Sequence, residues 1–186
     1  MPRTPRPAPV SGPPDHPRPR VPAPPPAGPA TPDVPLVLGV SRCLLGEPVR
    51  YDGGHQLDRF LRDELGPFVT WAPVCPEVEC GLPVPREAMR LVGDPAAPRL
   101  VTQKTGADHT ARMAAWAAGR LEALAGLGLC GFVFKKDSPS SGMTRVKVYP
   151  EPGGPARPGV RQGVGVFARL FMARFPHLPV EDDGRL

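Results

Sequence analysis

Three of the chain's four cysteines lie in positions that suit binding or reaction better than packing. Cys75 and Cys80 occur in a short polar and proline-rich segment, and Cys43 follows an apolar run that is typical of a strand. Structural cysteines are usually scattered through apolar runs, whereas thiols on Gly/Pro-rich loops after strands are placed to bind a metal or cluster, or to attack an electrophile. Cys75 and Cys80 are five residues apart, which differs from zinc-ribbon spacing and favours a cluster or a catalytic role.

The sequence leaves alternatives open for individual cysteines. Cys43 is either a functional thiol or a packed small apolar residue. Cys80 is either a ligand or a residue lying behind its loop. Cys130 is predicted to be a core residue, because it lies within the apolar segment 129–134.

Two polar segments add candidate groups. Residues 135–142 combine two lysines with small hydroxyl and turn-forming residues, so that backbone N–H groups could cradle an anion; an ordinary surface loop is the alternative. Adjacent lysines after a buried strand favour a function, since strand alternation directs at least one of them inward. Residues 50–55 combine charge, an aromatic ring and an imidazole, with a solvated hairpin as the alternative.

Hydrophobic patterns predict the elements that position these groups. Predicted strands are residues 34–40, 68–74, 100–102, 129–134 and 146–149, and predicted helices are residues 55–65, 105–124 and 164–175. Residues 86–91 are predicted as a short helix or an edge strand, and residues 150–163 as a loop. Strands alternating with helices predict an α/β domain with a mostly parallel sheet flanked by helices, a Rossmann-like three-layer arrangement.

The position of the candidate loops predicts one shared site. Ligands bind outside the carboxyl ends of the strands in such sheets. The loops that begin near Cys43, Cys75 and Lys135 all follow predicted strand ends. We therefore expect these three loops to converge.

Composition divides the chain and excludes some functions. Residues 1–33 are dominated by Pro with Arg, Ala and Gly, which predicts a disordered tail, and residues 34–186 are predicted to form a single α/β domain. About two of the five net positive charges come from the tail, so charge does not demand binding to a nucleic-acid polymer. No apolar run is long enough for a membrane span, and cysteines without a signal peptide predict a cytoplasmic protein.

Several motifs in order resemble one known family. They are residues 41–46, 49–55, 75–77, 81–83 and 85–86, then Lys135, residues 138–140 and Gly142. Together they resemble the thiouracil desulfurase family, long a bacterial domain of unknown function, over about residues 34–180. The form with Glu79 and Cys80 is similar to the N-terminal half of longer proteins that carry a second domain.

The resemblance implies an iron–sulfur enzyme. In the family, three cysteines hold a 4Fe-4S cluster, whose fourth iron takes the sulfur of a thiolated nucleobase, and a carboxylate and a serine assist proton transfer and water attack. Carried onto this chain, Cys43 and Cys75 are ligands, Glu77 is the acid/base and Ser138 is its partner. The substrate is then a small thiolated pyrimidine or similar thiocarbonyl compound, and the sequence allows a homodimer. Substrate-binding residues are expected to be Lys135, Ser140, Ser141, Tyr51 and Asp52.

One position departs from the family's pattern. The usual third cysteine follows a Ser-Pro-Ser run, and this chain has Ser141 there. We expect Cys80 to supply the third thiolate, because it lies close to Cys75 on the same loop. The alternatives are a ligand-binding or accessory domain without a cluster that holds a nucleotide-like ligand, and a zinc- or thiol-dependent enzyme.

Overall fold

A parallel sheet, here called sheet A, positions the predicted site. In the computed structural model, residues 35–151 and 158–186 are described, so the predicted tail of residues 1–33 lies outside them. The strands are β1 (Val37–Ser41), β2 (Thr70–Val74), β5 (Gly131–Phe134) and β8 (Val180–Asp182). Their order is β2-β1-β5-β8, and every pair is parallel. The predicted α/β class and three of the predicted strands are confirmed.

A second sheet, sheet B, lies beside the first one. It contains β3 (Met89–Val92), β4 (Arg99–Thr102), β6 (Val146–Tyr149) and β7 (Val160–Gly163) in the order β4-β3-β6-β7. Only β3 and β6 are parallel, and the other two pairs are antiparallel. The sequence did not predict this division into two sheets. β3 is a central strand rather than a helix or an edge, and β7 lies within the predicted loop 150–163.

Helices connect and cover the strands. The α-helices are α1 (Pro76–Glu79), α2 (Thr110–Ala125) and α3 (Val166–Arg174), and short turns of other helix types cover Arg42–Leu45, Phe60–Leu65 and Gly66–Phe68. The predicted helix 164–175 is confirmed, whereas α2 begins later than residue 105. The reason is a turn that folds back on β4, in which Ala107 N–H donates to Thr102 Oγ1 at 2.7 Å before Thr110 begins the helix.

The predicted helix 55–65 is wrong over its first half. Only Phe60–Leu65 is helical, as a π-type turn. Upstream, Gln56 N–H donates to the Cys43 carbonyl at 2.9 Å, and Asp58 N–H donates to the Leu44 carbonyl at 2.8 Å. These hydrogen bonds tie residues 56 and 58 to the turn that carries Cys43, and the helical turn begins only after them.

Sheet A is covered by apolar side chains on both faces. Phe132 and Phe134 of β5 face the main core, which also includes residues of α2, α3 and sheet B, while Val133 joins a smaller cluster with Val40, Leu44 and Leu61. This alternation is the period of two expected for a buried strand. None of the helices in the described ranges is long and apolar enough to cross a membrane.

Phe171 of α3 is the centre of the aromatic core. It is fully buried, and its ring centroid lies 4.7 Å from that of Phe132 and 5.5 Å from that of Phe134. Large-to-small changes at such positions remove buried surface and leave a cavity.

We predict that Phe171→Ala lowers the free energy of unfolding by about 3–5 kcal/mol. Phe68→Ala is the matched control, because Phe68 is 75% exposed and its truncation should change that free energy by less than about 0.5 kcal/mol. Chemical denaturation followed by circular dichroism measures both. Equal effects of the two substitutions would contradict this assignment of the core.

Candidate active site

A cavity of about 380 Å³ opens at the carboxyl edge of sheet A. Its wall includes Cys43 after β1, Cys75 after β2 and Lys135 after β5, so the structure brings the three expected loops together. This volume is within the range of about 300–1,000 Å³ that is usual for small-molecule sites. Met89 of β3 and Gln103 after β4 also line it, so sheet B supplies part of the wall.

Parallel pairing explains why the two cysteines meet. Ser41 at the end of β1 is paired with Val74 at the end of β2. Cys75 follows Val74 directly and is the N-cap residue of α1, while Cys43 lies in the helical turn that begins after Ser41. Both thiols therefore emerge at the same edge of sheet A.

Burial sets the chemistry of both thiols. Burial, and after it the nearby carboxylate of Glu77, raises the pKa of Cys43 to about 11 and that of Cys75 to about 12. Cys75 Sγ lies 3.5 Å from Glu77 Oε2 and 3.9 Å from the Val49 carbonyl oxygen. Activated cysteine nucleophiles have lowered pKa values, so these thiols suit binding to a metal centre, whose positive charge favours the thiolate, better than free nucleophilic attack.

The other two cysteines lie elsewhere. Cys80 is absent from the cavity wall; it is buried in the main core, and its thiol donates to the Glu77 carbonyl at 3.3 Å. The structure thus places the Cys80 side chain behind the loop and gives no support to the expectation that it supplies a third ligand. The expectation that Cys130 is a core residue is wrong: β5 begins one residue later, and Cys130 is exposed at the opposite end of that strand.

Ser141 lines the cavity together with Cys43 and Cys75. It is only 4% exposed, and its backbone N–H donates to Ser138 Oγ at 3.1 Å. The polar side chains that share the wall with the two thiols thus include a hydroxyl at the position where the resemblance implies a cysteine.

A chain of hydroxyl groups leads from the cavity to Glu77. Ser140 Oγ donates to Glu77 Oε1 and lies 3.0 Å from Ser138 Oγ. Glu77 and Ser138 line the cavity, whereas Ser140 is fully buried between them. The direct partner of Glu77 is therefore Ser140, and Ser138 is one hydrogen bond further away. Ser140 itself does not line the cavity, so the structure gives no support to its expected contact with substrate.

The remaining substrate-binding predictions divide in two. Tyr51 and Lys135 line the cavity, as expected. Asp52 does not; its side chain is 48% exposed, pairs with Arg50 and accepts the Gly54 N–H at 3.0 Å. Asp52 thus stabilises its own turn, as short polar residues often do in loops.

Two charged residues at the site were not predicted from the sequence. Asp183, just after β8, accepts a hydrogen bond from Lys135 Nζ at 2.8 Å and so holds that lysine at the wall. Arg86 lies 3.8 Å from Glu77 Oε2 and is buried. Arg86 belongs to the motif 85–86 but was given no role, and Asp183 lies in no motif, because each acquires its role through contacts with distant segments.

Comparison with known proteins identifies the family. The family model described as 2-thiouracil desulfurase matches residues 38–183. The chain belongs to the 2-thiouracil desulfurase family. A solved structure of the 4Fe-4S-dependent thiouracil desulfidase TudS matches with a TM-score of 0.62 and 31% identity, covering 81% of this chain and 93% of that chain. A comparison with curated protein sequences finds no match.

Membership of the 2-thiouracil desulfurase family agrees with the fold. The match begins within β1 and extends past β8, so it includes every strand of sheet A and all three loops of the cavity. The agreement with TudS extends to the three-dimensional arrangement, since the likeness includes most of both chains.

Proposed function

We propose that this chain is a 4Fe-4S-dependent desulfurase that replaces the sulfur of a thiolated pyrimidine, such as 2-thiouracil, with oxygen. The observation that carries the proposal is the presence of Cys43, Cys75 and Glu77 on the wall of one cavity. Family membership and the match to TudS support both the reaction and the cofactor.

The donor groups at the cavity suit such a cluster. Cys43 and Cys75 would hold two of its irons, since soft thiolates select iron–sulfur clusters. The hydroxyl of Ser141, on the same wall, would hold a third. When bound, the cluster supplies an iron without a protein ligand, which binds the substrate's sulfur and acts as a Lewis acid on the thiocarbonyl carbon.

Glu77 acts as the general base in this proposal. Its carboxylate takes a proton from the water that attacks the thiocarbonyl carbon, and the chain of Ser140 and Ser138 hydroxyls holds it in place. A C–O bond forms and the C–S bond breaks, so that the products are the carbonyl compound and hydrogen sulfide. Water supplies the oxygen and both protons that leave with sulfur, and no net oxidation or reduction occurs.

Lys135 and Tyr51 provide contacts for the pyrimidine ring. Lys135 Nζ, held by Asp183, is a donor for a carbonyl oxygen of the ring. The Tyr51 ring, 44% exposed at the cavity wall, offers an aromatic face on which a base can stack.

Position 141 carries a serine where the family has a cysteine. This difference favours one alternative function, a related domain that binds its ligand without a cluster. Within the parts of the chain that the structure describes, no three His, Cys, Asp or Glu side chains gather into a metal site. This arrangement also gives no support to a zinc enzyme, since zinc sites have three or four such ligands. Anaerobic reconstitution with iron and sulfide decides between the cluster enzyme and the cluster-free domain.

We predict that the wild-type protein takes up iron and sulfide anaerobically and converts 2-thiouracil to uracil, whereas Cys75→Ala takes up neither. Cys130→Ala is the matched control and should load fully, because Cys130 is exposed away from the cavity. Iron analysis, sulfide analysis and visible absorbance measure loading, and chromatography measures uracil. Normal iron content in Cys75→Ala would overturn the ligand assignment, and a wild-type protein without iron would favour the cluster-free alternative.

We predict that Glu77→Gln retains the cluster while turnover falls by about 10²–10⁴-fold, the usual contribution of a general base. The amide keeps the shape of the side chain but cannot take the proton. Iron content and initial rates of uracil formation are measured on the same preparation. Full activity in this variant would remove Glu77 from the mechanism.

We predict that Ser141→Ala loses its cluster faster than wild type when challenged with an iron chelator, and that Ser141→Cys retains it longer. Alanine removes the oxygen donor, whereas cysteine replaces it with a thiolate of nearly the same size. The decay of visible absorbance measures retention, and the electron paramagnetic resonance spectrum of the reduced cluster should differ between Ser141→Cys and wild type. Identical retention in all three proteins would show that Ser141 is not a ligand.

A further inference from the structure

Arg86 is a buried cation behind the acidic side of the cavity. Its side chain is 8% exposed, and it does not line the cavity. One terminal nitrogen lies 3.8 Å from Glu77 Oε2, and the other donates to the Val49 carbonyl at 3.0 Å. Its Nε is buried and has no hydrogen-bond partner among the described residues.

Arg86 also connects two segments of the cavity wall. Its backbone N–H donates to the Tyr51 carbonyl at 2.8 Å, so residues 49–51 are bound through both its backbone and its side chain. The Val49 carbonyl accepts a hydrogen bond from the Arg86 guanidinium. The same carbonyl oxygen lies 3.9 Å from the Cys75 thiol, whose other acceptor is the Glu77 carboxylate. One arginine thus contacts the loop beside the thiol and the carboxylate on α1.

Arg86 is the cationic partner of the Glu77 carboxylate, beside the hydrogen bond from Ser140. Within the described residues, no other Lys or Arg nitrogen lies within the 4.0 Å limit of an ion pair with Glu77. Lys135, the nearest lysine on the wall, is paired with Asp183. The Glu77 side chain is only 12% exposed, and a carboxylate so shielded from water needs a charged or hydrogen-bonding partner.

We propose that Arg86 is a positioning residue for the reaction, and this inference rests on the proposed function. Ser140 donates a hydrogen bond to Oε1 of Glu77, and the charge of Arg86 lies 3.8 Å from Oε2, so that the two together orient the carboxylate toward the attacking water. A misplacement of about 1 Å in such a group can lower the rate about 10²-fold. The planar guanidinium suits this position because it contacts the carboxylate and a backbone carbonyl at the same time, which a lysine ammonium does less well.

The test compares Arg86→Met and Arg86→Lys with wild type. We expect Arg86→Met to lower kcat about 10- to 100-fold, while KM for 2-thiouracil, iron content and the visible spectrum of the cluster stay unchanged. Arg86→Lys should recover part of kcat, because it restores the charge but not the fork of donors. The matched control is Arg112→Met: Arg112 also donates to two backbone carbonyls, at Cys80 and Gly81, but it does not touch Glu77, so kcat should be unchanged.

A double substitution separates positioning from a general structural role. In a Glu77→Gln background, adding Arg86→Met should lower the residual rate less than twofold, because the group that Arg86 positions is already absent. A further loss of 10- to 100-fold in the double variant would show that Arg86 does not act through Glu77. A fall in kcat of Arg86→Met in proportion to its iron content would show the same.

The outcomes also separate this inference from the proposed function. If wild type does not desulfurate 2-thiouracil, the proposed function fails. If wild type is active and Glu77→Gln is inactive, but Arg86→Met has normal kcat, only the role of Arg86 fails.

Discussion

The parallel pairing of β1 with strands on both of its sides is the constraint on which the site depends. Val40 and Ser41 lie opposite Val133 and Val74 respectively, so three chain segments leave the sheet at one edge. A shift of register by one residue would turn every side chain of β1 to the other face. Packing opposes such a shift: a Cβ on residue 39 would lie 2.1 Å from the ring of Phe132, so only glycine fits where that ring crosses β1. The core of sheet A therefore helps to determine where the cysteines emerge.

The charges around the cavity form a balanced set. Burial and the Glu77 carboxylate raise the pKa values of Cys43 and Cys75, whereas Lys135 acts to lower the first and Arg86 the second. Groups other than the thiols hold the two cations in place. Asp183 holds Lys135, and the Val49 carbonyl holds Arg86. The positive charges of Lys135 and Arg86 thus oppose part of the effect of burial and of Glu77 on the two thiols, and a bound metal centre would favour the thiolates further.

Local patterns in the sequence predicted three of the four strands of sheet A and the loops that carry chemistry, because apolar β-branched runs and Gly/Pro punctuation are local signals; β8 was not predicted. They could not predict the environment of Cys130, since one residue at the start of β5 decides whether the side chain is buried. Sheet B was missed as a separate unit because its strands are short and its two antiparallel pairs are joined only by the long-range pairing of β3 with β6. The role of Arg86 was missed for the same reason: it depends on contacts with residues up to 37 positions away.

The position of Cys80 follows from the short helix α1. The Cys80 backbone N–H closes the turn of α1 by donating to the Pro76 carbonyl at 3.0 Å, and its thiol donates to the Glu77 carbonyl. Directing that thiol into the cavity would break the second of these bonds and withdraw a buried side chain from the main core. The helix thus presents Glu77 to the cavity while Cys80 packs in the core. Ser141 already lies on the wall and needs no such change to act as the third ligand of the proposed function.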